Sequence, residues 1–467
     1  YIAAAIKARV ALIERNEMGG ECLNTGCVPS KALLRSAHLL AEARESGKLG
    51  IRKMEADFDF ADIMRRVHEV IAAIAPHDSV ERYTELGVDC IKGSARLVSP
   101  WEVEVDGRRL SARSIVVATG SQPIVPGIPG LDGISYRTSD NLWSLETLPK
   151  KLVVIGGGPI GCELTQAFSR FGSEVTVVEM APQLLGREDE DASLALLKSL
   201  RERDGVNVQL STKAVRFEGN GAAGTLIAEQ DGKEVRYDFD CLLLALGRRA
   251  NVGTAGLEEL GVELNKNGTV ATDPFLRTNY PSISVCGDVA GPYQFTHVAA
   301  HQAWFAAVNS LLSPFWSFRT DYSVIPWCTF TDPEVARVGL SERDAEEQDI
   351  DVEVTRYGID DLDRAITDSE AHGFVKVLTP PGSDKILGAT IVGAHAGELI
   401  AEFVLAMKHG LGLNKLLGTI HIYPTMMEAN KYVAGQWKRA HAPEKLLQWV
   451  GRFFAWRRGK VVEKEHA

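Results

Sequence analysis

No apolar run in the 467 residues reaches the roughly 18 that a membrane-spanning helix requires. A charged-then-apolar leader is missing as well, and the cysteines number an odd seven, so a secreted scaffold stapled by paired disulfides is not the expected class. Basic patches interleaved with stacking aromatics are lacking, and a formal net charge of −11 makes nucleic acid a poor partner. Low-complexity tracts and short tandem repeats are absent. So is an initiator Met, and the natural start is expected to lie before Tyr1. What remains is a chain of ordinary globular composition, 45% hydrophobic and 24% charged, too long for one core. A cytoplasmic enzyme of several domains is expected.

Five cysteines, Cys90, Cys162, Cys241, Cys286 and Cys328, are scattered singly, whereas Cys22 and Cys27 bracket Leu23-Asn24-Thr25-Gly26 and are followed by Val28-Pro29-Ser30-Lys31. Such a loop can close a small disulfide, and Pro29 suits the first turn of a helix. A thiol beside a helix N-terminus is biased toward thiolate, the form that attacks disulfides, binds soft metals and passes electrons to a neighbouring cofactor. The pair reads as a redox-active dithiol. A structural zinc site would need two further ligands at similar spacing, and a structural disulfide would fit an export signal and an even cysteine count. No resident metal site is expected.

Lys7 to Glu14 reads as a buried parallel strand ending in a carboxylate, the back half of a dinucleotide-binding unit in which Glu14 holds a ribose hydroxyl. The glycine turn that opens such a unit cannot be assigned to any residue. Residues 58 to 85 show helical spacing at Ile63, Val67, Val70, Ile71 and Ile74. Trp101, Val103 and Val105 alternate as in a strand, and Ile115-Val116-Val117-Ala118 reads as a continuous buried run. It ends in Thr119-Gly120-Ser121, whose small residues suit either a close ligand approach or a simple turn.

The next constellation is complete: Leu152-Val153-Val154-Ile155 runs into Gly156-Gly157-Gly158-Pro159-Ile160-Gly161, then a helical stretch, then Val175-Thr176-Val177-Val178 and Glu179. Strand, glycine turn, helix, strand and terminal acid form a nucleotide-binding unit, with Gly156, Gly158 and Gly161 in the turn. Glu179 accepts from ribose hydroxyls and repels a 2′-phosphate, and Met180, Ala181 and Pro182 offer no cation, so NADH is favoured over NADPH. Gly247 is expected to end another strand after Leu242 to Leu246, and Cys162 is expected to be a small packing residue.

Two nucleotide units, a dithiol loop after the first, and Val285-Cys286-Gly287-Asp288 further on resemble the FAD-dependent pyridine nucleotide–disulfide oxidoreductases, most of all their mercuric reductase-like and lipoamide dehydrogenase-like members. The resemblance implies an α/β fold with two Rossmann-like domains, one for FAD and one for NAD, and an α+β dimerisation domain. The implied boundaries are 1–150 for the FAD domain, 151–271 for the NAD domain, 272–320 for a return to the FAD domain, 321–440 for dimerisation and 441–467 for a tail. It also implies that Glu14, Thr119, Gly120, Ser121, Gly287, Asp288 and His297 lie around FAD. Lys31 and Glu163 would pair beside the flavin, Cys27 would face the ring and Cys22 the substrate, and a homodimer would complete the site.

One segment departs from the pattern. Reductases of organic disulfides carry His-Pro-Thr-x-x-Glu, whereas this chain reads Tyr423-Pro424-Thr425-Met426-Met427-Glu428. A phenol with a pKa near 10 is a poor proton shuttle at neutral pH. His421, two residues away on an extended segment, would point to the same side, or be a structural histidine. Mercuric reductases also place tyrosine here, but the adjacent cysteine pair near their C-terminus is missing, since the last cysteine is Cys328. The reading is therefore an NADH-dependent FAD enzyme passing electrons through Cys22–Cys27 to an acceptor left open between a disulfide, a metal ion and a quinone. The alternatives are a dihydrolipoamide dehydrogenase-like reductase and a flavoprotein electron carrier or regulatory partner of a membrane component. Leu446, Leu447, Val450, Phe453 and Phe454 at helical spacing, with Trp449 and Trp456 nearby and Arg452, Arg457, Arg458 and Lys460 as cations, suit packing on the domain or contact with an anionic membrane surface.

Overall fold

The strand Lys151–Ile155 buries every residue after Lys151 because it is paired on both edges, with Glu174–Val178 on one and Cys241–Leu244 on the other. Asn207–Gln209 extends this to a four-stranded, all-parallel sheet. Parallel strands covered on both faces read as unbroken apolar runs. The helix Pro159–Phe171 packs on the sheet, and Val153, Ile155, Val178, Leu242 and Leu244 share a core with Phe217, Leu226 and Phe239 of an antiparallel meander, Thr212–Gly219, Gly224–Gln230 and Lys233–Phe239.

These elements belong to a computed structural model that describes residues 1–459 and separates into two units, Tyr1–Val335 and Ala336–Ala467. Within the first unit the strand of residues 10–14 is shorter and less covered than its sequence implies. Among the described residues Val10–Glu14 pairs, in parallel, with Val88–Lys92 alone and is half-buried, which corrects the expectation of a buried strand. The run Ile115 to Ala118 is likewise not continuous core. Among the described residues Ile115–Val117 pairs only with Ile283–Val285; Val117 packs with Leu97, Val103, Val105, Leu257 and Ile283 while Val116 is exposed. Trp101 precedes the strand Glu102–Val105 and is exposed too, leaving Val103 and Val105 to carry the inward face.

The helical stretch of 58 to 85 is interrupted. Asp59 caps the helix Phe60–Ile74 by accepting from the Ala61 amide at 2.9 Å, and after the turn Ala75–Asp78, which holds Pro76, a second helix runs Val80–Glu85.

In the second unit Phe374–Thr379 lies antiparallel to Glu353–Gly358 on one edge and Gly388–Gly393 on the other. Helices Ala396–Lys408 and Glu428–Ala440 cover it, burying Phe403, Ala429, Val433 and Trp437. This is an α+β arrangement. A final helix, Glu444–Arg458, buries nothing. Among the described residues no helix is long and apolar enough to cross a membrane. Lys460 and the remainder of the expected tail lie outside the described residues.

Candidate active site

Cys22 sits on the short helix Gly20–Asn24, and Cys27 is the first residue of the helix Cys27–Arg44, with Gly26 as its N-cap. Both cysteines are free thiols. The turn between them is tight: a Cβ on Gly26 would lie 3.1 Å from the Glu21 carbonyl oxygen. It is also pinned from outside, since the indole of buried Trp143 donates to the carbonyls of Thr25 and Ser139 at 2.8 and 2.7 Å. Trp143 carries no sequence signal for this task.

The two sulfurs are unequal. A hydrogen bond from Cys22 stabilises the Cys27 thiolate, burial opposes it, and the Thr296 hydroxyl and the Lys31 charge assist, bringing the Cys27 thiol down to about 6. The same hydrogen bond, with burial, pushes the Cys22 thiol upward. Thr296 Oγ1 lies 3.4 Å from Cys27 Sγ and is the first residue of the helix Thr296–Leu312, so two helices begin at this sulfur. Both N-termini favour an anion there. Thr296 escaped sequence reasoning.

Lys31, one turn along from Cys27, places Nζ 2.8 Å from Glu163 Oε2 and 4.4 Å from the centre of the Phe330 ring. Glu163 is 5% exposed, and its other oxygen accepts from the Phe330 amide at 2.9 Å. The helices carrying the pair pack along their length and are clamped at the far end. There Arg44 donates to the Arg170 carbonyl, Arg170 pairs with Asp204 and Asp332 at 2.8 and 2.9 Å, and Arg203 joins Glu45 and Asp332 at 2.8 and 2.7 Å. Burial raises the Asp332 carboxyl, but Arg170, Arg203 and His38 together hold it below the usual range.

A second polar cluster surrounds Asp288. The hydroxyl of fully buried Ser121 donates to Asp288 Oδ2 at 2.6 Å and accepts from Arg248 Nε at 2.8 Å, while Arg248 also donates to Ser139 Oγ at 2.9 Å and pairs with Glu21 at 2.5 Å. Burial pushes the Glu21 carboxyl up to about 7 against the pull of Arg248, with Asp140 and Asp288 adding to the rise. Arg248 and Glu21 were not among the expected site residues; their only signals are adjacency to Gly247 and Cys22. Thr119 and Gly120 are fixed by Asn251, which accepts from Thr119 Oγ1 at 2.8 Å and donates its backbone N–H to the Gly120 carbonyl at 3.0 Å. Gly120 has φ +68° with open space where a Cβ would project, and Gly287 has φ +79°. Glu14 accepts from the Asn16 amide at 2.8 Å, and His297 hydrogen-bonds the Pro326 carbonyl at 2.8 Å while stacking on Phe295. The carboxylates of Glu14, at a strand end, and Asp288, three residues past one, are acceptors that fit the hydroxyl-rich part of FAD, and Gly120 leaves room for its approach.

The glycine turn of residues 156–161 is crowded at two positions and open at a third. A Cβ on Gly156, at φ +112°, would meet the Ala245 carbonyl oxygen at 2.4 Å, and one on Gly161 would meet the Gly156 carbonyl oxygen at 2.0 Å. At Gly158, the N-cap of the helix Pro159–Phe171, a Cβ would meet nothing within 4 Å. Glu179 accepts from the amides of Gly157 and Ala181 at 2.6 and 2.7 Å, which orients the carboxylate and leaves lone pairs for a ribose. Gly247 does not end a strand: the strand stops at Leu244, and Gly247, at φ +96°, leads into Arg248–Ala250, which pairs with Ser121–Pro123. Cys162 is 1% exposed and donates to the Gly157 carbonyl at 3.3 Å.

Tyr423 and Glu428 lie in the second unit. Tyr423 is 65% exposed and donates to Asp363 Oδ2 at 3.0 Å, and that hydrogen bond raises its phenol further above its ordinary value. Glu428, buried, accepts from the Thr425 amide and the Tyr432 hydroxyl, each at 3.3 Å. His421 does not share the exposure of Tyr423. Its side chain is 4% exposed, with one ring nitrogen 2.9 Å from Glu402 and the other 3.1 Å from the Thr419 carbonyl. The segment is not a strand, so the two-residue alternation that would have aligned the two side chains does not operate.

Residues 1–303 match the family described as pyridine nucleotide-disulphide oxidoreductase, and residues 325–434 match its dimerisation domain. The chain is 36% identical over 438 residues to a dihydrolipoyl dehydrogenase of Chlamydia muridarum, covering 92% of each chain. It is 34% identical over 429 residues to a mercuric reductase of Bacillus cereus, covering 92% of this chain and 68% of the relative. Among solved structures it resembles the HOCl-induced flavoprotein disulfide reductase RclA from Escherichia coli, with a TM-score of 0.81, 28% identity and coverage of 93% of this chain and 95% of the other.

Proposed function

The chain belongs to the pyridine nucleotide-disulphide oxidoreductases, FAD-dependent enzymes that use NAD(P)H and carry a dimerisation domain, and on that premise we propose that it takes electrons from NADH and delivers them through Cys22 and Cys27 to a thiophilic metal ion. The observation that carries the redox reading is the unequal dithiol, one sulfur held as thiolate at two helix N-termini and the other kept protonated. FAD, when bound, supplies the two-electron step between the nicotinamide and the disulfide. Glu14, Gly120, Ser121, Gly287 and Asp288 would hold it, with His297 nearby, and Lys31 with Glu163 fixes a charge pair near Cys27. Opening the disulfide consumes two electrons and one proton, which Cys22 takes while Cys27 stays a thiolate; Cys22 then meets the acceptor, which takes the electron pair as the disulfide closes and the proton is released.

NADH is the donor because Glu179 sets a carboxylate where a 2′-phosphate would sit; at about 4 Å that repulsion is worth roughly a tenfold preference. Residues 1–150 and 272–320 form the FAD domain, 151–271 the NAD domain and 321–440 the dimer contact. Tyr423 favours the metal ion as acceptor, since a phenol bonded to Asp363 is a poor acid for a leaving thiol whereas a metal ion needs none. The test is anaerobic reduction by NADH, watched for a long-wavelength thiolate–flavin band, followed by turnover with thiol-complexed Hg(II) against lipoamide. A band that vanishes in Cys27→Ser, with turnover faster on Hg(II), is expected. Fast lipoamide turnover would overturn the acceptor, and full activity in Cys22→Ser and Cys27→Ser would overturn the dithiol.

A further inference from the structure

The helix Glu444–Arg458 follows the matched dimerisation residues 325–434 and has no buried residue. At 3.6 residues per turn, Leu446, Leu447, Trp449, Val450, Phe453, Phe454 and Trp456 occupy one half of its circumference. Trp456 is 78% exposed and Trp449 61%. Lys445 and Arg452 border this half on one side and Arg458 on the other, Arg457 falls within it in the last turn, and Gln448, Gly451 and Ala455 fill the opposite face. Four cations stand here against the single carboxylate of Glu444, in a chain whose net charge is −11.

We infer that this helix lies in the headgroup plane of an anionic phospholipid bilayer and holds the enzyme at a membrane surface. Charge decides between the occupants. A second copy of the helix would bring like-signed borders together around the apolar half, whereas anionic headgroups neutralise them. The side chains fit the same depth: Leu446, Phe453 and Phe454 reach the acyl boundary, the two indoles suit the interface, and the borders extend their cations outward along aliphatic stems.

The test uses the FAD-loaded full chain and sedimentation with vesicles of phosphatidylcholine alone or mixed two to one with phosphatidylglycerol. Binding to the mixed vesicles only, weakened by salt, is expected. Arg452→Gln with Arg458→Gln should lower partitioning by about twenty-five-fold, at about fivefold per cation, and Trp449→Ala with Trp456→Ala should abolish it. Because no residue of the helix is buried, all four substitutions leave flavin content and NADH-driven reduction unchanged. Equal binding to both vesicle types, or binding indifferent to the substitutions, would overturn the inference. So would an absence of vesicle binding combined with a change of oligomeric state in the tryptophan variant, which would mean that a second copy covers this face.

Discussion

Cys27 gathers more of the chemistry than any other residue, because its ionisation depends on a partner only five positions away in the chain and on another, Thr296, brought from a distant helix. Since the Cys22 hydrogen bond is the largest of the influences that lower its pKa, its removal should be visible in isolation. In the reduced protein the rate of Cys27 alkylation should rise through pH about 6 and level off well below the ordinary thiol value of about 8.5. Cys22→Ala should move that inflection upward, and the pH profile of iodoacetamide labelling measures both. An inflection already at the ordinary value in the parent, or one unmoved by the substitution, contradicts the asymmetry. Lys31→Met should shift it upward too, by less, because Lys31 ranks behind Thr296 among the lowering influences.

Between elements, the decisive contact joins the helices Cys27–Arg44 and Pro159–Phe171, which present Lys31 to Glu163 at one end and are clamped through Asp332 at the other. Asp332 faces Arg170, whose side chain is 3% exposed, and Arg203, so Asp332→Asn removes one of the two carboxylates that each cation pairs with, leaving Arg170 to Asp204 and Arg203 to Glu45. A loss of about 2 kcal/mol in urea unfolding at neutral pH is expected, since each cation keeps a second carboxylate. The sign with pH follows from the lowered carboxyl. Its contribution is complete above the unfolded value of about 3.9 and is lost as pH falls through the folded one, so the gap between parent and variant should close in acid. A gap that persists there contradicts the assignment. Elements of this kind differ in how far the sequence announces them. The strand, glycine turn and helix around Gly156 to Glu163 were legible because each step has a local signature. The clamp was not, because Arg170 and Asp332 are 162 positions apart and an isolated Asp or Arg carries no period. The exposed Val116 and half-buried Val10–Glu14 misled for the same reason, since apolar content does not reveal how many neighbours a strand will have.

For the whole molecule, the dithiol and the segment His421 to Glu428 belong to different units, and the proposed function joins them through a second copy. In that proposal Tyr423 would govern which acceptors the enzyme serves. Its phenol donates to Asp363, which raises it further above its ordinary value, while the His421 ring is 4% exposed and hydrogen-bonded to Glu402 and the Thr419 carbonyl. Tyr423→His would install a group that exchanges protons near neutral pH, with the Glu428 carboxylate three residues past Thr425 on a segment already tied to it. NADH-dependent reduction of lipoamide should then rise by about a hundredfold, the lower end of what a positioned general acid contributes. The thiolate–flavin band should stay as it was, because the substitution touches neither sulfur nor the Lys31–Glu163 pair. If lipoamide turnover stays flat while the band is intact, proton supply is not what restricts the acceptor. The restriction would then have to come from access to Cys22.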